Sequence, residues 1–351
     1  MPPSSGTVLG TTQIVDHGSP ADRFNIVLVS DGYRATEMAQ FASDAQALVD
    51  QLFATAPFDE MQCALNVYRV DVTSTDSGAD DPAPCGGSGA SADTYFDASF
   101  CNNGIQRLMS VNQATVLSVV NAEVPEWHQI LVIVNTPILG GAGGSIAISS
   151  NAGDWENVAI HEFGHSGFGL ADEYEYYVGC GSETDRDNYV GGEPSEPNVT
   201  TNTDRATIKW GDLILATTPL PTTSNPDCTQ CDTQPNPLVA GTVGAYAGAR
   251  YYHCGAYRPE YDCMMRNLTG FCAVCRRRIR QTLRPYLADC YAPVFAASGG
   301  FACFVNALVS ILVIALLLIL AWLPPILCLI KQLIFRIQHC TEGNSDRCIE
   351  L

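Results

Sequence analysis

Residues 302–330 carry no charged side chain, and within them residues 304–323 (FVNALVSILVIALLLILAWL) are almost all aliphatic. A helix needs about 20 such residues to cross the hydrocarbon core of a bilayer, and a soluble fold rarely needs a helix without a polar face. The stretch is therefore expected to form one C-terminal transmembrane helix, closed by Pro324 and Pro325, with Trp322 at interfacial depth. Residues 1–290 are left as the globular part, 291–303 as a linker and 324–351 as a short tail.

Lys and Arg set the orientation of such a span. Residues 285–303 have neither, whereas Lys331, Arg336 and Arg347 follow the span. The C-terminus is thus expected in the cytoplasm and the globular part outside it. Residues 1–20 show neither the basic nor the apolar region of a signal peptide. Two readings stay open: a start upstream of Met1, or a tail-anchored protein whose large domain is cytosolic.

The chain has 37 acidic and 18 basic residues, a formal charge of −19, which argues against nucleic acid because phosphate contacts draw on clustered Lys and Arg. With 46% hydrophobic and 16% charged residues, the chain as a whole is not disordered. Residues 24–30 (FNIVLVS) read as a buried strand closed by Asp31-Gly32. Thr36 is expected to cap a helix running to about Phe53, with Phe41, Ala45, Leu48, Val49 and Leu52 on one face. Residues 64–72 read as a second strand, 73–89 as loop, 105–120 as a helix and 129–135 as a third strand. That β, α, β, α, β order favours three α/β layers, with the first strand near residue 24.

Gly140, Gly141, Gly143 and Gly144 precede residues 145–150 (SIAISS), a small-residue strand beside which another backbone can come close. Residues 1–177 are expected to hold the active-site helix, and 178–290 to form a loop-rich, Cys-containing subdomain. The basic stretch 276–284 reads as an amphipathic helix ending it. Cysteines 63, 85, 101, 180, 228, 231, 254, 263, 272, 275 and 290 lie in the globular part, a density that favours disulfides in an oxidising compartment. The rival reading takes Cys228-x-x-Cys231 with Cys272-x-x-Cys275 as a four-thiolate zinc site. Asn198-Val-Thr and Asn267-Leu-Thr match the glycosylation triplet, which is common by chance.

Residues 154–165 (DWENVAIHEFGH) open with an acid and continue as a helix. His161 and His165, four apart, project from one face and can share a metal ion, and Glu162 beside them can take a proton from water on that metal. Gly169 ends the helix, and Asp172 follows three residues later as the expected third ligand, with Glu173 and the distant His253 as fallbacks. Metzincin zinc peptidases space glycine and third ligand in this way, one residue earlier relative to the second histidine. Asp262-Cys263-Met264-Met265-Arg266 looks like their Met-turn, with Met265 favoured over Met264.

These segments, together with Ser30-Asp31-Gly32-Tyr33, residues 74–80 and Leu170-Ala171-Asp172-Glu173-Tyr174, resemble the bacterial IgA-peptidase-like zinc metallopeptidases over roughly residues 12–290. The resemblance implies a metzincin-like zincin fold, one catalytic Zn²⁺ and endopeptidase activity on a protein or peptide, without implying immunoglobulin as substrate. Zinc-activated water with Glu162 as general base is the chemistry that follows, with Tyr174 or Tyr261 as candidate oxyanion stabiliser. Ser145, Ile146 and Ala147 are expected on the edge strand that pairs with an extended substrate. A non-enzymatic membrane-anchored binding module and a zinc hydrolase of non-peptide amides are the alternatives. Asp76, Asp80 and Asp81 offer oxygens of the kind Ca²⁺ takes, but they lack the EF-hand spacing and are expected in a solvated turn.

Overall fold

Strands β1 (Gly6–Val15), β2 (Phe24–Asp31), β3 (Leu65–Ser74), β4 (Gln129–Val134), β5 (Gly141–Ala142) and β6 (Ala147–Ser150) form one sheet in the order β1-β3-β2-β4-β6-β5. The structure is a computed structural model and describes residues 5–177, 179–180 and 186–287. The four inner strands run parallel, and β1 and β5 pair antiparallel at the two edges. The parallel centre follows from continuous apolar runs: every residue of β2 and β4 is buried, as strands covered on both faces require.

Successive side chains alternate between the two faces. Val27, Val29, Val70, Ile130, Val132 and Ile148 share one core with Val116, Val119 and Val120 of the helix α3 (Gln113–Glu123). Helices α1 (Met38–Ala54) and α4 (Trp155–Phe168) pack against the sheet as well as each other, beside the short α2 (Phe58–Met61). The chain after residue 186 adds a two-stranded ribbon, β7 (Tyr246–Ala249) and β8 (Tyr252–Arg258), a single helical turn α5 (Met264–Asn267), and α6 (Ala273–Leu283).

Loop 75–112 is tied to the sheet through Asp31. Its buried carboxylate accepts hydrogen bonds from Thr94 Oγ1 at 2.9 Å, Ser74 Oγ and the Phe96 N–H at 3.1 Å, and the Ala98 N–H at 3.2 Å. Gly32 follows with φ +68°, and a Cβ there would collide with the Gly78 carbonyl, so the turn requires glycine. Asp76, Asp80 and Asp81 are engaged likewise, accepting from the N–H groups of Asp93, Ala92 and Ser88. They work as staples of the loop.

Several sequence expectations are corrected. The first strand is β1, not the run at residue 24: it lies at an edge, is mostly exposed, and a bulge between Val8 and Gly10 breaks its alternation. The helix expected over 105–120 starts only at Gln113, capped by Asn112, which accepts from the Thr115 N–H at 3.2 Å. Residues 105–112 instead reach distant backbone, with Met109 N–H bonded to Gly141 O at 3.2 Å and Ser110 to Ser99 at 2.8 Å. Thr36 does not cap α1, which is entered through a 3₁₀ turn at Ala35–Glu37, where Glu37 accepts from the Arg34 N–H at 2.8 Å.

Cys228 and Cys231 are not zinc ligands. They form disulfides with Cys254 and Cys180, Cys85 pairs with Cys101, and Cys63 is also disulfide-bonded. Cys263, Cys272 and Cys275 are buried free thiols. Among the described residues no helix is long and apolar enough to cross a membrane. The linker, the span expected at residues 304–323 and the tail lie outside the described residues.

Candidate metal centre

The centre is built on α4 and the turn that ends it. His161 and His165 lie one helical turn apart, and Gly169, at φ +65°, takes the left-handed position that closes a helix. The Gly169 N–H bonds His165 O and the Leu170 N–H bonds Gly164 O, both at 3.0 Å, so the chain folds back beneath the histidines. Asp172 arrives on that return. Its Oδ1 lies 3.0 Å from His161 Nε2 and 3.2 Å from His165 Nε2, and the two Nε2 atoms are 3.1 Å apart.

The other ring nitrogens decide what these atoms can do. His161 Nδ1 donates to Met264 O at 2.9 Å and His165 Nδ1 donates to Leu170 O at 2.7 Å. In a neutral imidazole each Nε2 then carries only a lone pair. Asp172 Oδ1 is buried with no hydrogen-bond partner. With both rings neutral, two lone pairs and a carboxylate oxygen share one small volume, which is costly unless a cation joins them. Tetrahedral Zn²⁺ with bonds of about 2.0–2.1 Å has ligand edges of about 3.3 Å, and the observed triangle is within a few tenths of that. The donor set fits zinc.

Supporting residues hold the candidate ligands. Tyr251 donates its hydroxyl to Asp172 Oδ2, and Asn198 brackets the segment, accepting from the Ala171 N–H and donating to Ala171 O, both at 2.8 Å. Asn198 is fully buried, so its glycosylation triplet marks a structural side chain. Met265 packs under α4: a Cβ on Gly164 would lie 2.5 Å from its Sδ. Met264 contributes its carbonyl to His161, so both methionines of the pair serve the centre through different atoms.

Glu162 faces the same cavity, about 320 Å³ in volume, as the three candidate ligands. Burial pushes its carboxyl above the usual glutamate range, with His161 and His165 pulling it back. A Cβ on Gly143 would fall 2.8 Å from the His165 ring and 3.0 Å from Glu162 Oε2, so the segment just after β5 needs glycine at this position. Arg107, Tyr174 and Tyr251 also line the cavity. Burial, with Asp172 nearby, pushes both phenols up, so each stays a hydrogen-bond donor at neutral pH.

Other sequence candidates lie elsewhere. Tyr261 donates to Gln234 O and packs on Arg258 and Arg266, and it does not line the cavity. His253 is buried in β8 with its ring on Cys228 O at 3.0 Å. Glu173 turns away from the histidines toward Cys263, Cys272 and Cys275. Of Ser145, Ile146 and Ala147, only Ala147 is in a strand, and β6 is not the edge: β5 covers it, pairing Gly141 with Ser149 and Ala142 with Ile148. The rim that faces the cavity is Ala142, Gly143 and Gly144. Arg107 and Tyr251 were not legible from the sequence, since neither lies near the motif and only the fold brings them to it.

A family model described as IgA Peptidase M64 matches residues 12–233 and 232–283. No curated protein matches the chain.

Proposed function

The chain belongs to the IgA peptidase M64 family, and from that membership we propose that it is a zinc-dependent metalloendopeptidase. His161, His165 and Asp172 would hold the metal. One observation carries the reading: three donor atoms lie 3.0–3.2 Å from one another, the two imidazole Nε2 atoms left as acceptors by the bonds of their Nδ1 atoms and Asp172 Oδ1 buried without a hydrogen-bond partner. When bound, zinc would polarise a peptide carbonyl and lower the pKa of a water in the fourth position.

The protein's own residues supply the rest. Glu162 accepts the proton of the attacking water and returns it to the leaving amine, a double task suited to a carboxyl whose affinity for protons burial has raised. Tyr174, with Arg107 beside its ring at 6.0 Å, donates toward the oxygen on which charge develops. Ala142, Gly143 and Gly144 offer main-chain groups to an extended substrate, as an added strand would use them. The disulfides support an oxidising location for this part of the chain, anchored by the span expected at residues 304–323.

The test is metal content by elemental mass spectrometry beside a peptide-library digest. Glu162→Ala should keep the metal and lose nearly all turnover, whereas His165→Ala should lose the metal of this centre together with activity. Normal turnover in Glu162→Ala would overturn the assignment of the base.

A further inference from the structure

We propose that Cys263, Cys272, Cys275 and Glu173 form a second, structural metal site that takes one Zn²⁺ in an S₃O tetrahedron. All four residues are fully buried or nearly so, at 0–1% exposure, and their ligand atoms lie within 4.8 Å of one another. Cys263 Sγ is 3.8 Å from Cys275 Sγ, and Glu173 Oε1 is 3.4 Å from Cys275 Sγ and 3.9 Å from Cys272 Sγ. A zinc tetrahedron with Zn–S of about 2.3 Å and Zn–O of about 2.0 Å has sulfur–sulfur edges of about 3.8 Å and sulfur–oxygen edges of about 3.5 Å. The three edges given above lie within about 0.4 Å of those dimensions.

Three further observations point to a cation. Glu173 Oε1 accepts from Asn198 Nδ2 at 2.8 Å, but Oε2 is buried with no hydrogen-bond partner. A carboxylate buried among three thiols with one oxygen left unpartnered is only partly compensated. Backbone donors are aimed at sulfur: the Cys272 N–H at Cys263 Sγ and the Cys275 N–H at Cys272 Sγ, both at 3.3 Å. Cys272 caps α6, so the thiolates would gather at the positive end of an 11-residue helix. Finally, other cysteines of this domain are oxidised in pairs, while these three remain thiols. One disulfide would strand the third sulfur, whereas a metal uses all three and releases three protons on binding.

The site would fasten the catalytic centre from behind. Glu173 directly follows Asp172, and its N–H bonds Met265 O at 2.8 Å. Cys263 precedes Met264, whose carbonyl orients His161. A metal across Glu173 and Cys263 therefore clamps the segment bearing one ligand to the turn that positions another.

The experiment is zinc content of the purified full chain, wild type beside His165→Ala and Cys275→Ser. Two equivalents in wild type are expected, with one left in each variant. Cobalt-substituted His165→Ala should show a sulfur-to-metal charge-transfer band, and a chelator under denaturing conditions should unmask three thiols. One equivalent in wild type and none in His165→Ala would overturn the second site and leave the catalytic centre standing. One equivalent in both would do the reverse. A Cys263–Cys275 disulfide found by peptide mapping would also refute the proposal, and neither this nor the cobalt spectrum depends on Cys275→Ser folding.

Discussion

Tyr251→Phe should weaken zinc at the His161, His165, Asp172 centre by about 10- to 100-fold. The substitution removes one hydroxyl, which donates to Asp172 Oδ2 inside a site where Asp172 is only 5% exposed. A hydrogen bond to a buried charged group contributes about 1.5–3 kcal/mol, and at about 1.4 kcal/mol per decade that is roughly one to two decades of affinity. Loss of partners that support metal ligands typically costs the same range. The ring itself is kept, along with its contacts to Tyr174 at 5.5 Å and Tyr177 at 5.1 Å.

The hairpin tip argues that this hydroxyl is what the position is held for. Arg250 and Tyr251 sit at φ +56° and +70°, a conformation costing a non-glycine residue about 1–3 kcal/mol. It is maintained by the Arg250 N–H on Asp172 O at 3.1 Å and the Tyr251 N–H on Tyr174 O at 2.9 Å. Competition against a chromophoric chelator at neutral pH measures the affinity. An affinity within about twofold of wild type, with the thermal transition unchanged, would refute the supporting role given to Tyr251.

Two other substitutions test the surroundings. Gly164→Ala would place a Cβ 2.5 Å from Met265 Sδ in a closed core and should cost about 1–3 kcal/mol in urea unfolding; undiminished stability would mean that Met265 does not brace α4. Asp31 has its carboxyl pushed up to about 6 by burial, against the lowering effect of the Phe96 N–H and the Thr94 and Ser74 hydroxyls. Because the folded value is the higher one, its contribution is fully present below the unfolded value near 3.8 and is lost as pH rises through about 6. The stability of wild type relative to Asp31→Asn should therefore fall by up to about 3 kcal/mol between pH 4 and 7.5, and a flat difference would contradict the burial argument.

The centre was legible where it is local. His161 and His165 are joined by one helical turn, and Gly169 with Asp172 by one chain reversal, so spacing alone carries the geometry. Tyr251 was not, because it lies 79 residues from Asp172 on a hairpin whose Arg-Tyr tip lacks the usual Asn-Gly signal. The sheet shows the same division. Strands β2 and β4 announce themselves as unbroken apolar runs, whereas β1 is an exposed edge that exists only through its register with β3. Residues 105–112 have helical composition, but their backbone is committed to Ser99 and Gly141. The cysteines were hardest: Cys228-x-x-Cys231 has metal spacing yet each thiol meets a different distant partner, and no local pattern reveals that.

Asp172 and Glu173, the two sequence candidates for third ligand, are placed in different clusters. Adjacent side chains on the returning chain face opposite ways, Asp172 toward the histidines and Glu173 toward the three thiols. Each carboxylate leaves one oxygen without a hydrogen-bond partner, Oδ1 on one side and Oε2 on the other. The same doubling occurs at Cys263, which faces the thiols, and the next residue, Met264, which gives its carbonyl to His161. Two dipeptides, Asp172-Glu173 and Cys263-Met264, thus each join one cluster to the other, linked by the Glu173 N–H on Met265 O. A displacement of either would move a candidate ligand or its orienting carbonyl, so the geometry of the candidate metal centre depends on how well the thiol cluster is held.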